Sequence, residues 1–176
     1  MSDIIRLLLV STWESIYMVF FSVVIATILG IPLGVLLFVT DKQQILKNEI
    51  VNQVMSWIVN IVRSIPFVIL LILLLPFTKL IVGKAIGTTA AIVPLSIAAT
   101  PLVGRLTESA LREVPKGVIE AAQAMGASPF QIITKVLLPE SLPSIASGIT
   151  ITTINLIGYS AMAGVIGGGG LGDVAV

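Results

Sequence analysis

Very few side chains in this sequence could carry out covalent or metal chemistry. The 176 residues include no cysteine and no histidine, which excludes thiolate, disulfide and imidazole chemistry. Nine carboxylates remain, and carboxylates without nitrogen or sulfur ligands rarely build a transition-metal site. The sequence therefore predicts a protein that is not an enzyme and that binds no cofactor of its own.

Nucleotide-binding signatures are equally weak. No segment matches the Walker pattern of G, four residues, G, K and S or T. Gly167, Gly169 and Gly172 satisfy a bare GxGxxG spacing, but they end an apolar run and follow no strand. We interpret these glycines as the place where a membrane helix ends and the chain re-enters the protein. Any ATP must then be bound by another protein.

A polar stripe with one cation is a candidate for contact with a solute. Arg63 is the only charge in a long apolar run, where it costs ~2.5 to 3.5 kcal/mol unless it faces protein or water. Projection at 100° per residue places it on one helix side with Gln53, Ser56, Asn60 and Ser64, which suits the interior of a bundle. Arg63 either ties helices together through backbone carbonyl groups or lies along a path by which a solute crosses the bundle.

A second candidate set lies in the last apolar run and comprises Asn155, Tyr159, Ser160 and Met162. Tyr159 and Met162 share one helical turn, with Asn155 a turn earlier, so an amide, a phenol and a thioether come together. This set could line a cavity for a thioether substrate. Methionine at helical spacing more often packs in a core, and packing is the preferred interpretation from these residues alone.

The elements that hold these side chains are predicted to be membrane-spanning helices. Hydrophobic residues make up 56% of the chain and the mean hydropathy is +1.10, well outside the soluble range. A span needs ~20 mostly apolar residues, and four runs reach that length: residues 15–40, 50–78, 85–104 and 141–172, with the last span ending near 166. We predict an all-α membrane protein, a multi-span helical bundle forming one transmembrane domain over residues 1–176.

Basic residues predict how these spans are oriented. Six Lys and Arg lie between spans one and two or between spans three and four, against three on the opposite side. Since Lys and Arg concentrate in the cytoplasm, the N-terminus is expected outside and the 105–140 loop inside a bacterial inner membrane. The apolar stretch 7–10 is too short for a signal-peptide core, so the first span is expected to be retained. A net charge of +1 predicts no nucleic-acid partner.

The 105–140 loop carries the signals of short helices joined by corners. Helices are predicted over 105–114 and 116–125, with Gly126 as a left-handed C-terminal residue. Ser128 is an N-cap followed by proline and, three residues on, by a glutamine that completes a capping box. The third helix is predicted to end near Pro139. Small residues at Gly30 and Gly34, and at Gly83 and Gly87, are expected to permit close helix crossings.

The middle helix of this loop presents a small or polar outward face at Glu120, Ala121, Gln123 and Ala124. One interpretation is an amphipathic helix that packs on its own bundle. The other is a docking surface for a cytoplasmic partner, because alanines permit close approach and one glutamate gives an orienting contact.

This loop resembles the EAA loop of ABC importer permeases. The matching residues are Glu120, Ala121, Ala122, Gly126, Val136, Leu137, Leu138 and Pro139, with valine at 136 where the family usually has isoleucine. The resemblance implies that residues 120–128 are a coupling helix that sits in a groove of an ATPase. The residues it assigns to coupling are Glu120, Ala121, Ala122, Gly126, Ala127 and Ser128.

Nearly the whole chain, from the 63–66 segment RSIP to the 155–172 segment NLIGYSAMAGVIGGGGLG, is similar to the permeases of methionine importers. That similarity implies a homodimer in membrane lipid, two ATPase subunits that bind ATP and Mg, and an extracytoplasmic methionine-binding protein. It favours a cavity role for Tyr159 and Met162 and import of D- or L-methionine. Such permeases usually have a fifth span after the glycine-rich segment, and we expect that span to be missing here.

Two other function classes remain open. An ion-driven secondary transporter or channel would need ionisable groups within the membrane, whereas all nine carboxylates lie outside the uncharged runs or at their margins. An assembly scaffold that moves nothing is the third class.

Overall fold

The computed structural model describes residues 2–175, and within that range the chain forms helices and no strand. Met1 and Val176, the two ends of the single predicted domain, lie outside the described residues. The elements are α1 Ser2–Val39, α2 Glu49–Ser64, α3 Phe67–Val82, α4 Thr88–Arg112, α5 Lys116–Ala124, α6 Pro129–Ile132, a π-helical turn Ile133–Leu137, α7 Leu138–Ala163, a second π-helical turn Gly164–Gly168, and α8 Leu171–Val174. The all-helical prediction is confirmed.

Three segments are long and apolar enough to cross a membrane as single helices: Asp3–Val39, Thr88–Arg112 and Pro129–Gly168. The predicted span over 50–78 is not one continuous helix, because α2 and α3 meet at an angle of 107°, and the two helices make a fourth span only if the bent pair is counted as one. Ile65 is extended (φ −80°, ψ 125°), the conformation favoured before a proline, and Pro66 has no N–H to continue the ladder. Arg63 therefore lies in the last turn of α2, next to the bend, and not in the middle of a continuous helix.

The helices on either side of α5 are longer than predicted. The segment 105–114 is mostly the end of α4, which runs unbroken from Thr88 to Arg112. Pro139 does not end a helix, because the π-helical turn before it joins α6 to α7. There the Leu138 N–H bonds to Ile133 O, five residues back, and this wider turn accommodates a proline that cannot donate. Between α4 and the continuous helix that begins with α6, only residues 113–128 intervene, and they contain α5.

Two glycines of α1 lie at its crossing with α4. A Cβ on Gly30 would lie 2.5 Å from Val103 Cβ, and one on Gly34 would lie 2.5 Å from the carbonyl oxygen of Gly104. The predicted crossing role of these two glycines is confirmed. The same prediction for Gly83 and Gly87 is wrong, since both have positive φ (+81° and +114°) and form the turn between α3 and α4.

The glycine-rich segment after α7 folds back onto the bundle. A Cβ on Gly172 would lie 2.1 Å from Ala161 O, so the returning chain touches the backbone of α7. The Gly170 N–H donates to Glu14 Oε2 at 2.8 Å, and the Leu171 N–H donates to Ser15 Oγ at 2.9 Å. These bonds hold the segment against α1. The glycines serve close backbone packing, as the sequence predicted for a re-entering chain.

Two apolar clusters hold the bundle together. The larger joins α1, α3, α4 and α7, and includes Met18, Leu95 and Leu156. The smaller, here called the lower core, consists of Phe38, Val39, Leu111, Val114, Ile119, Ala122, Ile132 and Leu137. It fixes α5 to the ends of α1 and α4, to the end of α6 and to the π-helical turn that follows α6. The second cluster therefore positions the predicted coupling helix.

Candidate functional site

The ends of α5 are built as its sequence predicts. Gly126 adopts φ +78°, and the Ala127 N–H closes the helix end by donating to Ala122 O at 3.1 Å. The next corner is a capping box in which Gln131 N–H donates to Ser128 Oγ at 3.4 Å and Ser128 N–H donates to Gln131 Oε1 at 2.9 Å. Both corners are fixed by local hydrogen bonds, so α5 has a defined orientation.

The two faces of α5 differ in the way that docking would require. Glu120 and Ala121 are exposed, as are Gln123 and Ala124 beside them. Ala122, in contrast, is only 4% exposed and packs in the lower core. Of the six residues assigned to coupling, Ala122 and half-buried Ala127 hold the helix in place, and Ser128 caps α6. Glu120, Ala121 and Gly126 are exposed and belong to neither the lower core nor the capping box.

Two large apolar side chains flank the Gly126 corner, and the sequence reasoning missed them. Met125 is 82% exposed and Phe130 is 73% exposed. Neither belongs to the lower core, although that core takes Ile119 and Ile132 from the same two helices. Exposed apolar groups grouped in an otherwise polar segment mark an interaction surface. Phe130 has a signal in the sequence, because it lies two residues from buried Ile132 and therefore on another side of α6, whereas Met125 lies three residues after buried Ala122 and has no such signal.

An ionic network centred on one buried carboxylate lies at the end of α4 next to α5. Glu108 is 7% exposed and accepts hydrogen bonds from Arg105 and Arg112. Sequence analysis could find a pair at i, i+4, but not the long-range partners Asn60 and Asp41, because nothing local specifies them. The pKa of the Asp41 carboxyl is lowered, first by a hydrogen bond from the Lys42 backbone N–H and then by one from Arg112.

The candidate solute-path residues of α7 do not all share one face. The Tyr159 ring stacks on Phe67 with centroids 4.5 Å apart and planes 2° apart, which ties α7 to the start of α3. Asn155 is exposed and Met162 is 46% exposed. Ser160 is buried on the opposite side, where it lines a cavity of about 430 Å³ between α1 and α7. The structure therefore groups Asn155, Tyr159 and Met162 without Ser160.

The polar stripe of α2 also differs from its predicted location. Gln53, Asn60, Arg63 and Ser64 are exposed in the protomer, and Ser56 is half-buried. The buried side of α2 is marked by Val59 at 2% exposure. The single protomer does not enclose this stripe, although one edge of it contacts α4, where Arg105 donates to Asn60 Oδ1 and to the Ser56 carbonyl.

Comparison with known proteins supplies the final observation on this site. Residues 26–176 match the family model of the binding-protein-dependent transport system inner membrane component. The chain is 58% identical over 170 residues to the probable D-methionine transport system permease protein MetI of Vibrio cholerae, covering 97% of this chain and 76% of that protein. It is 52% identical over 158 residues to the D-methionine transport system permease protein MetI of Escherichia coli, covering 90% and 73%.

A solved structure gives the same result in three dimensions. The fold superposes with a TM-score of 0.98 and 50% identity on a chain from inward-facing conformations of the MetNI methionine ABC transporter, over 99% of this chain and 81% of that one. The likeness therefore includes α5 and the helices that hold it.

Proposed function

Because this chain belongs to the family of binding-protein-dependent transport system inner membrane components, we propose that it is the permease subunit of an ATP-driven methionine importer. The observation that carries this proposal is that its similarity to methionine permeases extends over nearly the whole chain at more than half identity. The chain forms the conduit and does not hydrolyse ATP. D- and L-methionine are both included in the proposal.

The partners follow from the same premise. Two copies of the chain form the pathway, each α5 docks on one of two ATP-binding-cassette subunits, and an extracytoplasmic protein delivers methionine. The exposed side of α5 supports this role, because Ala121 and Ala124 permit close approach and Glu120 offers an orienting charge. Met125 and Phe130 supply apolar area on either side of Gly126. ATP and Mg bind to the partner ATPase, where they drive closure of that subunit.

The orientation that this arrangement requires has α5 in the cytoplasm and the N-terminus of α1 outside. The distribution of Lys and Arg among the loops supports it. In the same arrangement the exposed side of α7 and the polar stripe of α2 face the solute path between the two copies. Tyr159 and Met162 contact the substrate there, with Asn155 and Arg63 nearby, while Ser160 is a packing residue of α7.

Single-cysteine labelling tests both orientation and path, because the natural chain has no cysteine. Met125→Cys is expected to react with a membrane-impermeant thiol reagent only from the cytoplasmic side. Asn155→Cys and Met162→Cys are expected to react through the path, about tenfold more slowly when methionine is present at ten times its Kd. Ser160→Cys is the matched control on the same helix and should stay unlabelled, since Ser160 is 3% exposed.

Labelling of Met125→Cys from outside would contradict the orientation. Equal labelling of the path cysteines with and without methionine would contradict the path assignment.

The proposed function itself is tested by reconstitution of the chain with its co-purifying ATPase in liposomes. We expect accumulation of radiolabelled methionine that requires both ATP and the ATPase. Accumulation driven by an ion gradient without the ATPase would show a secondary transporter instead. A complex that assembles and hydrolyses ATP but accumulates nothing would show a scaffold.

A further inference from the structure

One carboxylate near the end of α4 is the centre of a network that joins three parts of the chain. Glu108 Oε2 accepts from Arg105 Nη1 at 2.7 Å, and Glu108 Oε1 accepts from Arg112 Nη2 at 2.7 Å. Both bonds are charge-assisted, and the acceptor is 7% exposed, so water competes little for it. We call Arg105, Glu108 and Arg112 the α4 clasp.

Each arginine of the α4 clasp also reaches another element. Arg105 Nη2 donates to Asn60 Oδ1 at 3.1 Å and to the Ser56 carbonyl at 3.4 Å, both on α2. Arg112 Nη2 donates to Asp41 Oδ2 at 2.9 Å, in the loop that leads from α1 to α2. The clasp therefore binds α2 at Ser56 and Asn60, and it also binds the segment that precedes α2.

The clasp lies between α5 and the stacked rings. On one side, Arg112 and Asp41 line a cavity of about 340 Å³ together with Lys116 and Ile119 of α5. On the other side, α2 leads through the 107° bend to α3, where Phe67 stacks on Tyr159. This path through α2 and α3 connects the clasp with Tyr159 in addition to the direct packing of α4 in the apolar cluster that includes Phe67 and borders Tyr159.

We propose that the α4 clasp is the link that makes α2 move together with α4 and α5 when the ATPase acts on α5. The inference rests on the proposed function and adds positioning residues to it. A rigid connection of this kind is expected from a buried carboxylate held by two arginines, because loss of either partner leaves charge uncompensated. Lys47 and Glu49 form an exposed ion pair at the start of α2, with Nζ and Oε1 3.2 Å apart. Its loss leaves no buried charge unpaired, so this pair is not expected to hold α2 rigidly.

The test is spin-label distance measurement in the complete complex with its ATPase. Single labels at Gln123→Cys on α5 and, in a separate sample, Gln53→Cys on α2 report the distance between the two copies, with and without trapped ATP. In the natural background both distances are expected to change. With Arg105→Gln the α5 change is expected to remain and the α2 change to fall to less than about a third, with uptake lower by at least about tenfold while hydrolysis continues.

Asn60→Ala is the second variant, because it removes the shorter of the two contacts of Arg105 with α2 and leaves the charges of the clasp paired. This variant is also expected to reduce the change in the α2 distance. It tests the clasp on its own if Arg105→Gln does not fold. Lys47→Gln is the matched control and should leave both distance changes and uptake as they are.

An α2 change of natural size in both Arg105→Gln and Asn60→Ala would overturn the clasp and leave the proposed function standing. Absence of any α5 change in the natural background would overturn the proposed function and the clasp with it.

Discussion

Ala121→Glu is expected to abolish ATP-dependent methionine uptake by the reconstituted complex while the chain still inserts and folds. Ala121 is exposed on α5, so the new side chain does not enter the lower core. In the proposed docked state it would place a charge in a close-packed interface, at a cost of about 3 kcal/mol, equivalent to roughly a hundredfold loss. The measurements are uptake and ATP hydrolysis on the same preparation, with the amount of co-purified ATPase.

Two matched variants separate docking from folding. Ala121→Ser adds one hydroxyl and no charge, and uptake is expected to stay within about twofold of the natural chain. Ala122→Glu carries the same charge one position along, but Ala122 is 4% exposed and the lower core surrounds it. That variant is expected to lower the yield of folded chain. Natural uptake by folded Ala121→Glu would show that α5 does not dock.

Features that depend on neighbouring residues could be predicted from the sequence. The left-handed conformation at Gly126 follows because only glycine adopts it without strain. The capping box from Ser128 to Gln131 requires residues three positions apart and no distant partner. The outward side of α5 likewise follows from which of its side chains are small or charged.

Helix continuity could not be predicted, because proline has opposite effects in different places. Pro32, Pro94 and Pro101 lie inside helices that continue, whereas Pro66 separates α2 from α3 by a 107° bend. A membrane helix tolerates proline wherever neighbouring groups or a wider turn satisfy the freed carbonyl. The π-helical turn before Pro139 is such a place, and only the tertiary structure shows it.

Contacts between residues far apart in the sequence could not be predicted either, because they depend on the tertiary structure. Glu14 and Gly170 are 156 positions apart, and Arg105 and Asn60 are 45 apart. The polar stripe of α2 was correctly identified as one side of a helix, but its location depends on what covers it. In the proposed dimer a second copy supplies the other wall, so the stripe is exposed in one protomer and faces the path in two.

Gly34→Leu is expected to prevent the chain from folding, since it fills the space that lets α1 and α4 approach. A Cβ at Gly34 would lie 2.5 Å from the Gly104 carbonyl oxygen and 2.5 Å from Thr107 Cβ. Neither atom is the end of a flexible side chain, so the two helices must separate. In lipid, helix pairs depend on such packing because no hydrophobic force drives them together. The expected cost is about 3 kcal/mol.

The measurement is the fraction of chain that remains monodisperse after extraction in mild detergent, followed by its thermal unfolding midpoint. Gly158→Leu is the matched control, because it adds the same side chain to a membrane helix at a glycine with no atom within 4 Å of the added Cβ. It should fold normally even if it changes uptake, since Gly158 lies between Asn155 and Tyr159. A Gly34→Leu chain as monodisperse as the Gly158→Leu chain would mean that α1 and α4 can separate without loss of the fold, and the crossing would then not be what holds the bundle.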